Sequence, residues 1–127
     1  MEKPPVETGL IRIWKAMFYS FAGLKAAYQG EAAFRQEVYL AVLLLPLLWW
    51  MELPLSEKMI LLLTLALVWI TELLNSGIEA IVDLASPEYH DLAKRAKDIG
   101  SAAVFISLSL LLVTWAWGLA KSLGYLA

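Results

Sequence analysis

Three long apolar segments follow one another along this chain, and they restrict its fold more than any other feature. They cover approximately residues 32–53, 59–82 and 101–120. A helix needs roughly 20 apolar residues to cross a bilayer, and lipid leaves no partner for unpaired backbone groups. The chain is 61% hydrophobic, whereas soluble domains are roughly half apolar. We therefore predict an all-α membrane protein with three transmembrane helices, forming a single domain over residues 1–127.

The segment before the first span has a different pattern. From about residue 7 to residue 29, apolar side chains recur at helical spacing with basic residues among them. This pattern predicts an amphipathic helix that lies in the membrane surface. The alternative is a helix packed on a soluble core, but the rest of the chain offers little soluble core to pack against.

Lysine and arginine are distributed unevenly among the connections. Five lie before the uncharged part of the first span, which starts at Val38, and three lie between the second and third spans, whereas only Lys58 and Lys121 lie on the opposite side. The positive-inside rule then predicts a cytoplasmic N-terminus and a cytoplasmic 83–100 segment. The aromatic residues near the far ends of the spans are predicted at the membrane interface: Trp49, Trp50, Trp115, Trp117 and Tyr125.

The second span carries polar residues along one helical face. Glu72, Ser76, Glu79 and Asp83 fall within a stripe of roughly 60°, with Asn75 at its border. An ionised carboxylate within a bilayer costs on the order of 2.5–3.5 kcal/mol, so this stripe should face protein or a wet cavity. One interpretation is that these polar groups only hold helices together through hydrogen bonds. We favour the interpretation that the carboxylates bind Mg²⁺ together with substrate phosphates.

Other charged residues are expected at the same depth. Lys94, Arg95, Lys97 and Asp98 precede the third span, where they could bind anionic lipid headgroups or the phosphates of a nucleotide. Glu31 alone would be an ordinary interfacial charge. The sequence has no Cys and one His, and it lacks a GxxxxGK[ST] loop, which excludes a Cys-based zinc site and a P-loop kinase. A net charge of −2 argues against a nucleic-acid partner.

Three strings carry a resemblance to a known family. EAAFRQE (31–37), ELLNSGIEAIVD (72–83) and EYHDLAKRAKDIGSAAV (88–104) resemble the small integral-membrane diacylglycerol kinases of bacteria. The resemblance covers nearly the whole chain. It implies an Mg²⁺-dependent enzyme that uses ATP to convert diacylglycerol into phosphatidic acid. It also implies a homotrimer in the bacterial inner membrane, with active sites between subunits near the cytoplasmic surface.

The resemblance also implies roles for individual residues. Glu72 corresponds to the general base, and Glu31 and Glu79 correspond to ligands of the Mg²⁺ that accompanies ATP. The implied nucleotide-binding residues are Arg12, Tyr19, Glu31, Glu79, Glu88, His90, Lys97 and Asp98. The implied lipid-binding residues are Arg12, Glu37, Glu72 and Ser101. The supporting polar residues are Asn75, Ser76 and Asp83.

Two other functions stay open at this point. An undecaprenol kinase shares most of these motifs, and a panel of both lipids would separate it from a diacylglycerol kinase. A non-catalytic scaffold or small channel subunit could line a pore with the polar stripe, and it would then conduct ions without consuming ATP.

Overall fold

The computed structural model describes all 127 residues and contains four helices without any strand. They are α1 (Gly9–Gly30), α2 (Ala32–Trp50), α3 (Leu55–Ala85) and α4 (Asp91–Ser122). Three of them, α2, α3 and α4, are long and apolar enough to cross a membrane. The predicted all-α membrane fold with three spanning helices is therefore confirmed.

A sharp elbow joins α1 to α2. Glu31 is its single non-helical residue, with an extended backbone at φ −119° and ψ 110°. Arg35 donates hydrogen bonds from Nη1 to the carbonyl oxygens of Tyr28 and Gln29, at 2.9 and 3.0 Å. These are carbonyl groups that the end of α1 leaves without helical partners. The Tyr28 and Tyr39 hydroxyl groups are 3.0 Å apart, so both helices are tied together at the elbow.

The core lies mainly between α3 and α4. Leu61, Leu65 and Val68 of α3 pack with Leu111 and Trp115 of α4, and α2 adds two side chains to this cluster, those of Ala41 and Leu48. An apolar surface of this kind lies along one face of each helix, because residues three and four apart share a face. This packed core therefore fixes the position of α3 and α4 relative to each other, and with it the position of the polar side chains on α3.

Trp115 departs from the prediction that it lies at the membrane interface. Only 6% of its surface is exposed, and its Nε1 donates to the Leu61 carbonyl oxygen and to Thr64 Oγ1, both at 3.1 Å. The indole N–H finds acceptors inside the protein, so it does not need interfacial water. The prediction is wrong for this residue, whereas Trp49 is 88% exposed at the end of α2.

Both α3 and α4 are longer than the predicted spans. The first turns of α4 are polar, starting at Asp91, and continue directly into the apolar part of the helix. His90 caps this helix, because its Nδ1 accepts a hydrogen bond from the backbone N–H of Leu92 at 3.0 Å. These polar first turns place charged residues of α4 beside the C-terminal end of α3.

The helix α1 buries little of its surface. Ala27 is its single buried residue, while Leu10, Ile13 and Phe21 are each more than half exposed. Trp14 and Phe18 pack edge to face, with ring centroids 5.3 Å apart. An apolar surface of this size is typically covered by a membrane or a partner. The placement of α1 in the membrane surface stays a prediction.

Candidate functional site

The polar stripe of α3 is divided by burial. Glu72 and Asn75 are only 4% and 7% exposed, whereas Ser76 and Glu79 are half-buried and Asp83 is exposed. The buried end of the stripe therefore lies among the helices, and its other end reaches the polar surface. The carboxyl group of Glu72, at the buried end, is therefore accessible to apolar molecules, and that of Glu79, at the open end, to water-soluble ones.

Glu37 approaches the buried end from α2. Its backbone carbonyl accepts a hydrogen bond from Trp69 Nε1 at 3.2 Å, and the Trp69 ring packs against Phe34 at 5.3 Å between centroids. Trp69 lies about one turn before Glu72 on α3, and the carboxyl groups of Glu37 and Glu72 are close enough to interact electrostatically. Glu37 is 6% exposed, and its Oε2 has no hydrogen-bond partner.

Glu31 lies in a cleft between α1 and α3. The cleft has a volume of about 660 Å³, and Glu31 and Ser76 are among its lining residues. Glu31 precedes the first turn of α2, but its side chain makes no capping hydrogen bond there. Glu72 interacts electrostatically with both Glu31 and Glu79. The carboxyl groups of four site residues predicted from the sequence, Glu31, Glu37, Glu72 and Glu79, therefore lie in the region where the elbow, α2 and α3 meet.

Asn75 connects the stripe to α4. Its Nδ2 donates to Glu79 Oε1 at 3.4 Å, whereas its Oδ1 is buried without a partner. That oxygen lies against Gly100 of α4, where a Cβ atom would come within 2.2 Å of it. Gly100 was not among the site residues predicted from the sequence. The available signal was a glycine inside a helical pattern, which often marks a close packing contact.

Two of the three predicted basic residues before the third span, Lys94 and Lys97, form ion pairs. Lys97 Nζ lies 2.5 Å from Asp83 Oδ1, and Lys94 Nζ lies 2.6 Å from Asp98 Oδ2. Their side chains are largely exposed, so these pairs contribute little to stability. They line a second cleft, of about 380 Å³, beside the α3–α4 connection, and this cleft also includes Glu88 and His90.

The remaining predicted residues lie elsewhere. Arg12 and Tyr19 line a third cleft, of about 530 Å³, together with Lys15 and Glu7, which form an ion pair. Ser101 is exposed on α4. Within one chain, the predicted nucleotide-binding residues other than Glu79 are therefore distributed over three clefts instead of converging on one pocket.

The donor set suits a magnesium ion bound together with phosphates. The chain gathers no three Asp, Glu or His side chains that could hold a metal by themselves. Mg²⁺ usually takes only one or two carboxylates and completes its coordination with water and substrate phosphates. Glu31, free of a capping bond, and Glu79, with one long hydrogen bond from Asn75, provide such carboxylates.

Comparison with known proteins gives a consistent result. The family model described as prokaryotic diacylglycerol kinase matches residues 18–119. The chain is 50% identical to a protein named diacylglycerol kinase from Pseudomonas aeruginosa, over 87% of this chain and 89% of that protein. It is 46% identical to the diacylglycerol kinase of Escherichia coli K12, over 85% and 88% of the two chains. Its identity to a Helicobacter pylori protein of the same name is 43%, over 90% and 89%.

Proposed function

The chain belongs to the prokaryotic diacylglycerol kinase family and is an ATP-dependent kinase of diacylglycerol, and on this premise we propose how its residues perform the reaction. In the proposal, Glu72 is the general base. It removes the proton from the free hydroxyl of diacylglycerol while the hydroxyl oxygen attacks the γ-phosphorus of ATP. The bond from that phosphorus to the β,γ-bridging oxygen breaks, giving phosphatidic acid and ADP.

The observation that carries this proposal is the burial of Glu72 within an apolar helix. Glu72 is 4% exposed, and its carboxyl group interacts electrostatically with those of Glu79 and Glu31. Diacylglycerol reaches the site from the bilayer, and ATP reaches it from water. A carboxyl group at the boundary of the two phases can contact the lipid hydroxyl, and phosphoryl transfer requires little more than positioning, a base and charge neutralisation.

Glu31 and Glu79 are proposed to hold Mg²⁺ with ATP. When bound, the ion would neutralise charge on the phosphates, which is the usual contribution of a metal in this reaction. Asn75 holds Glu79 through its amide group, and Lys97 exchanges its Asp83 partner for a phosphate oxygen. Arg12, Tyr19, Glu88, His90 and Asp98 complete the nucleotide site, and Glu37 and Ser101 contact the lipid.

A homotrimer would bring the separate clefts together. The clefts that contain Arg12, Glu31 and Lys97 lie apart in one chain, so we propose that a neighbouring subunit completes each site. The exposed apolar surfaces of the spanning helices leave room for such packing. We also propose that the trimer lies in the bacterial inner membrane with its N-terminus in the cytoplasm, where ATP is present.

The test is phosphate transfer from ATP to lipid in mixed micelles, with and without Mg²⁺. Dioleoylglycerol and undecaprenol are compared as acceptors, using the wild type and Glu72→Gln. We expect Mg²⁺-dependent labelling of dioleoylglycerol and a loss of about 10²–10⁴-fold in kcat for the variant, the usual contribution of a general base. An unchanged kcat in Glu72→Gln would exclude the base role, and preference for undecaprenol would overturn the substrate assignment.

A further inference from the structure

Gly100 lies at the point where α4 comes closest to the polar stripe of α3. A Cβ atom at this position would be 2.2 Å from Oδ1 and 3.2 Å from Cγ of Asn75. Cβ atoms essentially never approach another heavy atom to within 3.0 Å, so the Asn75 amide occupies the space that any other residue at position 100 would fill. The glycine forms a notch for this amide in the surface of α4.

The amide is held on two sides. Its Oδ1 lies in the notch, and its Nδ2 donates to Glu79 Oε1 at 3.4 Å. Exchanging the oxygen and nitrogen would direct Oδ1 at the Glu79 carboxylate, where two acceptors repel each other, so this orientation is the one that the contacts select. The bond to Glu79 is near the upper limit of hydrogen-bond length, and a small rotation of the amide would break it.

The two helices cannot separate easily to accept a larger residue. Leu61, Leu65 and Val68 of α3 pack closely with Leu111 and Trp115 of α4, and three of these five are at most 4% exposed. Close-packed interiors do not expand without losing contacts. A methyl group at position 100 would therefore act on the most mobile neighbour, which is the Asn75 side chain.

We propose that Gly100 is a positioning residue of the kinase site: its notch fixes the amide of Asn75, and Asn75 in turn orients Glu79 towards the metal–nucleotide complex. The proposal rests on the proposed function, because Glu79 is assigned there as a metal ligand. Gly100 itself touches neither substrate. Its effect passes through a single side chain, so it can be separated from a general effect on packing.

Gly118 provides a matched control on the same helix. A Cβ atom there would lie 2.9 Å from Leu61 Cδ1, in the apolar core, with no candidate site residue nearby. Both substitutions to alanine introduce one methyl group between α3 and α4. Only the one at position 100 meets a polar side chain of the proposed site.

The experiment measures metal–nucleotide binding directly. Mn²⁺ is titrated by electron paramagnetic resonance into the full-length protein in micelles, with the ATP analogue AMPPCP present. The variants are Gly100→Ala, Gly118→Ala, Asn75→Ala, Glu79→Gln and the double variant Asn75→Ala/Gly100→Ala. Thermal unfolding of each variant is recorded in parallel. We expect Gly100→Ala to raise the Mn²⁺ dissociation constant about 10–100-fold, as is typical when a partner that orients a metal ligand is lost, and Gly118→Ala to lower Tm without this change.

The double variant decides whether the effect passes through Asn75. We expect Gly100→Ala to cause no additional loss of Mn²⁺ affinity once Asn75 is alanine, because the clashing amide is gone. Equal affinity of Gly100→Ala and wild type would overturn the proposal, as would additive losses in the double variant. If Gly100→Ala does not fold, folding of the double variant supports the contact and its failure refutes it. If Glu79→Gln binds Mn²⁺ like the wild type, the proposed metal site itself is wrong.

Discussion

Two regions of opposite character follow one another along α3, where it packs against its neighbouring helices. The packed region lies around Leu61, Thr64, Leu111, Trp115 and Gly118. The polar region lies around Glu37, Glu72, Asn75, Ser76 and Gly100. In the packed region, the indole of Trp115 donates to two acceptors. In the polar region, one oxygen each of Glu37, Asn75 and Ser76 is buried without any partner; at the other end of α3, Glu57 has one such oxygen, but its other oxygen pairs with Lys121.

This difference indicates that the two regions along α3 have different tasks, one structural and one catalytic. Buried polar atoms without partners destabilise a protein, and in lipid they have no water to bond to. They persist where a ligand or a reaction needs them. We therefore expect substitutions in the packed region to alter stability alone, and substitutions in the polar region to alter catalysis with little loss of stability.

The largest effect within this comparison is expected for Leu61→Ala. Leu61 is completely buried, and truncation of such a side chain usually costs about 2–5 kcal/mol because a cavity remains. The free energy of unfolding in mixed micelles, measured by denaturant titration, should fall by this amount. The kcat per folded protein should stay at the wild-type value. If the variant had normal stability and a reduced kcat, the packed region would not be purely structural.

Asn75→Ala is expected to give the opposite pattern. The substitution removes the amide that holds Glu79, so the Mg²⁺ concentration needed for half-maximal kinase activity should rise about 10–100-fold. The free energy of unfolding should be maintained, since the unpartnered Oδ1 disappears together with the weak hydrogen bond. The check is an Mg²⁺ titration of kinase activity alongside an unfolding curve. A large fall in stability would show that Asn75 belongs to the structural core.

A smaller effect is expected for Trp115→Phe in the packed region. Phenylalanine keeps most of the ring packing but loses the N–H group that donates to Leu61 and Thr64. The loss of this hydrogen bond should lower the free energy of unfolding by about 1 kcal/mol, without altering the Mg²⁺ requirement. The same unfolding assay applies. An unchanged stability would mean that the indole N–H is not a structural element of this region.

The fold was largely predictable from the sequence because hydrophobic length alone requires three spanning helices. The second half of the polar stretch 86–100 is likewise typical of a helix that leads directly into the third span, and α4 begins at Asp91. Local patterns placed Trp115 at the interface, because the sequence cannot show that Thr64 offers an acceptor to its indole.

The candidate site was predictable only in part. Glu72 and Glu79 followed from helical spacing on one segment, whereas Glu31 was assigned only through the resemblance to a known family. The contact between Glu37 and Trp69 joins α2 to α3, and the notch at Gly100 joins α4 to α3. Such contacts depend on how separate helices are oriented, and helical periodicity within one segment carries no information about that orientation. For the same reason, the pairing of Lys97 with Asp83 did not follow from the spacing.

The two glycine notches of α4 make this helix intolerant of any change in length between them. Gly100 and Gly118 are separated by 18 residues, which corresponds to about five full turns and roughly 27 Å along the axis. Insertion or deletion of one residue between them would rotate one notch by about 100° relative to the other. Either Leu61 or Asn75 would then meet a side chain instead of a gap. Natural variation in the length of such chains should therefore be confined to the connections and the termini.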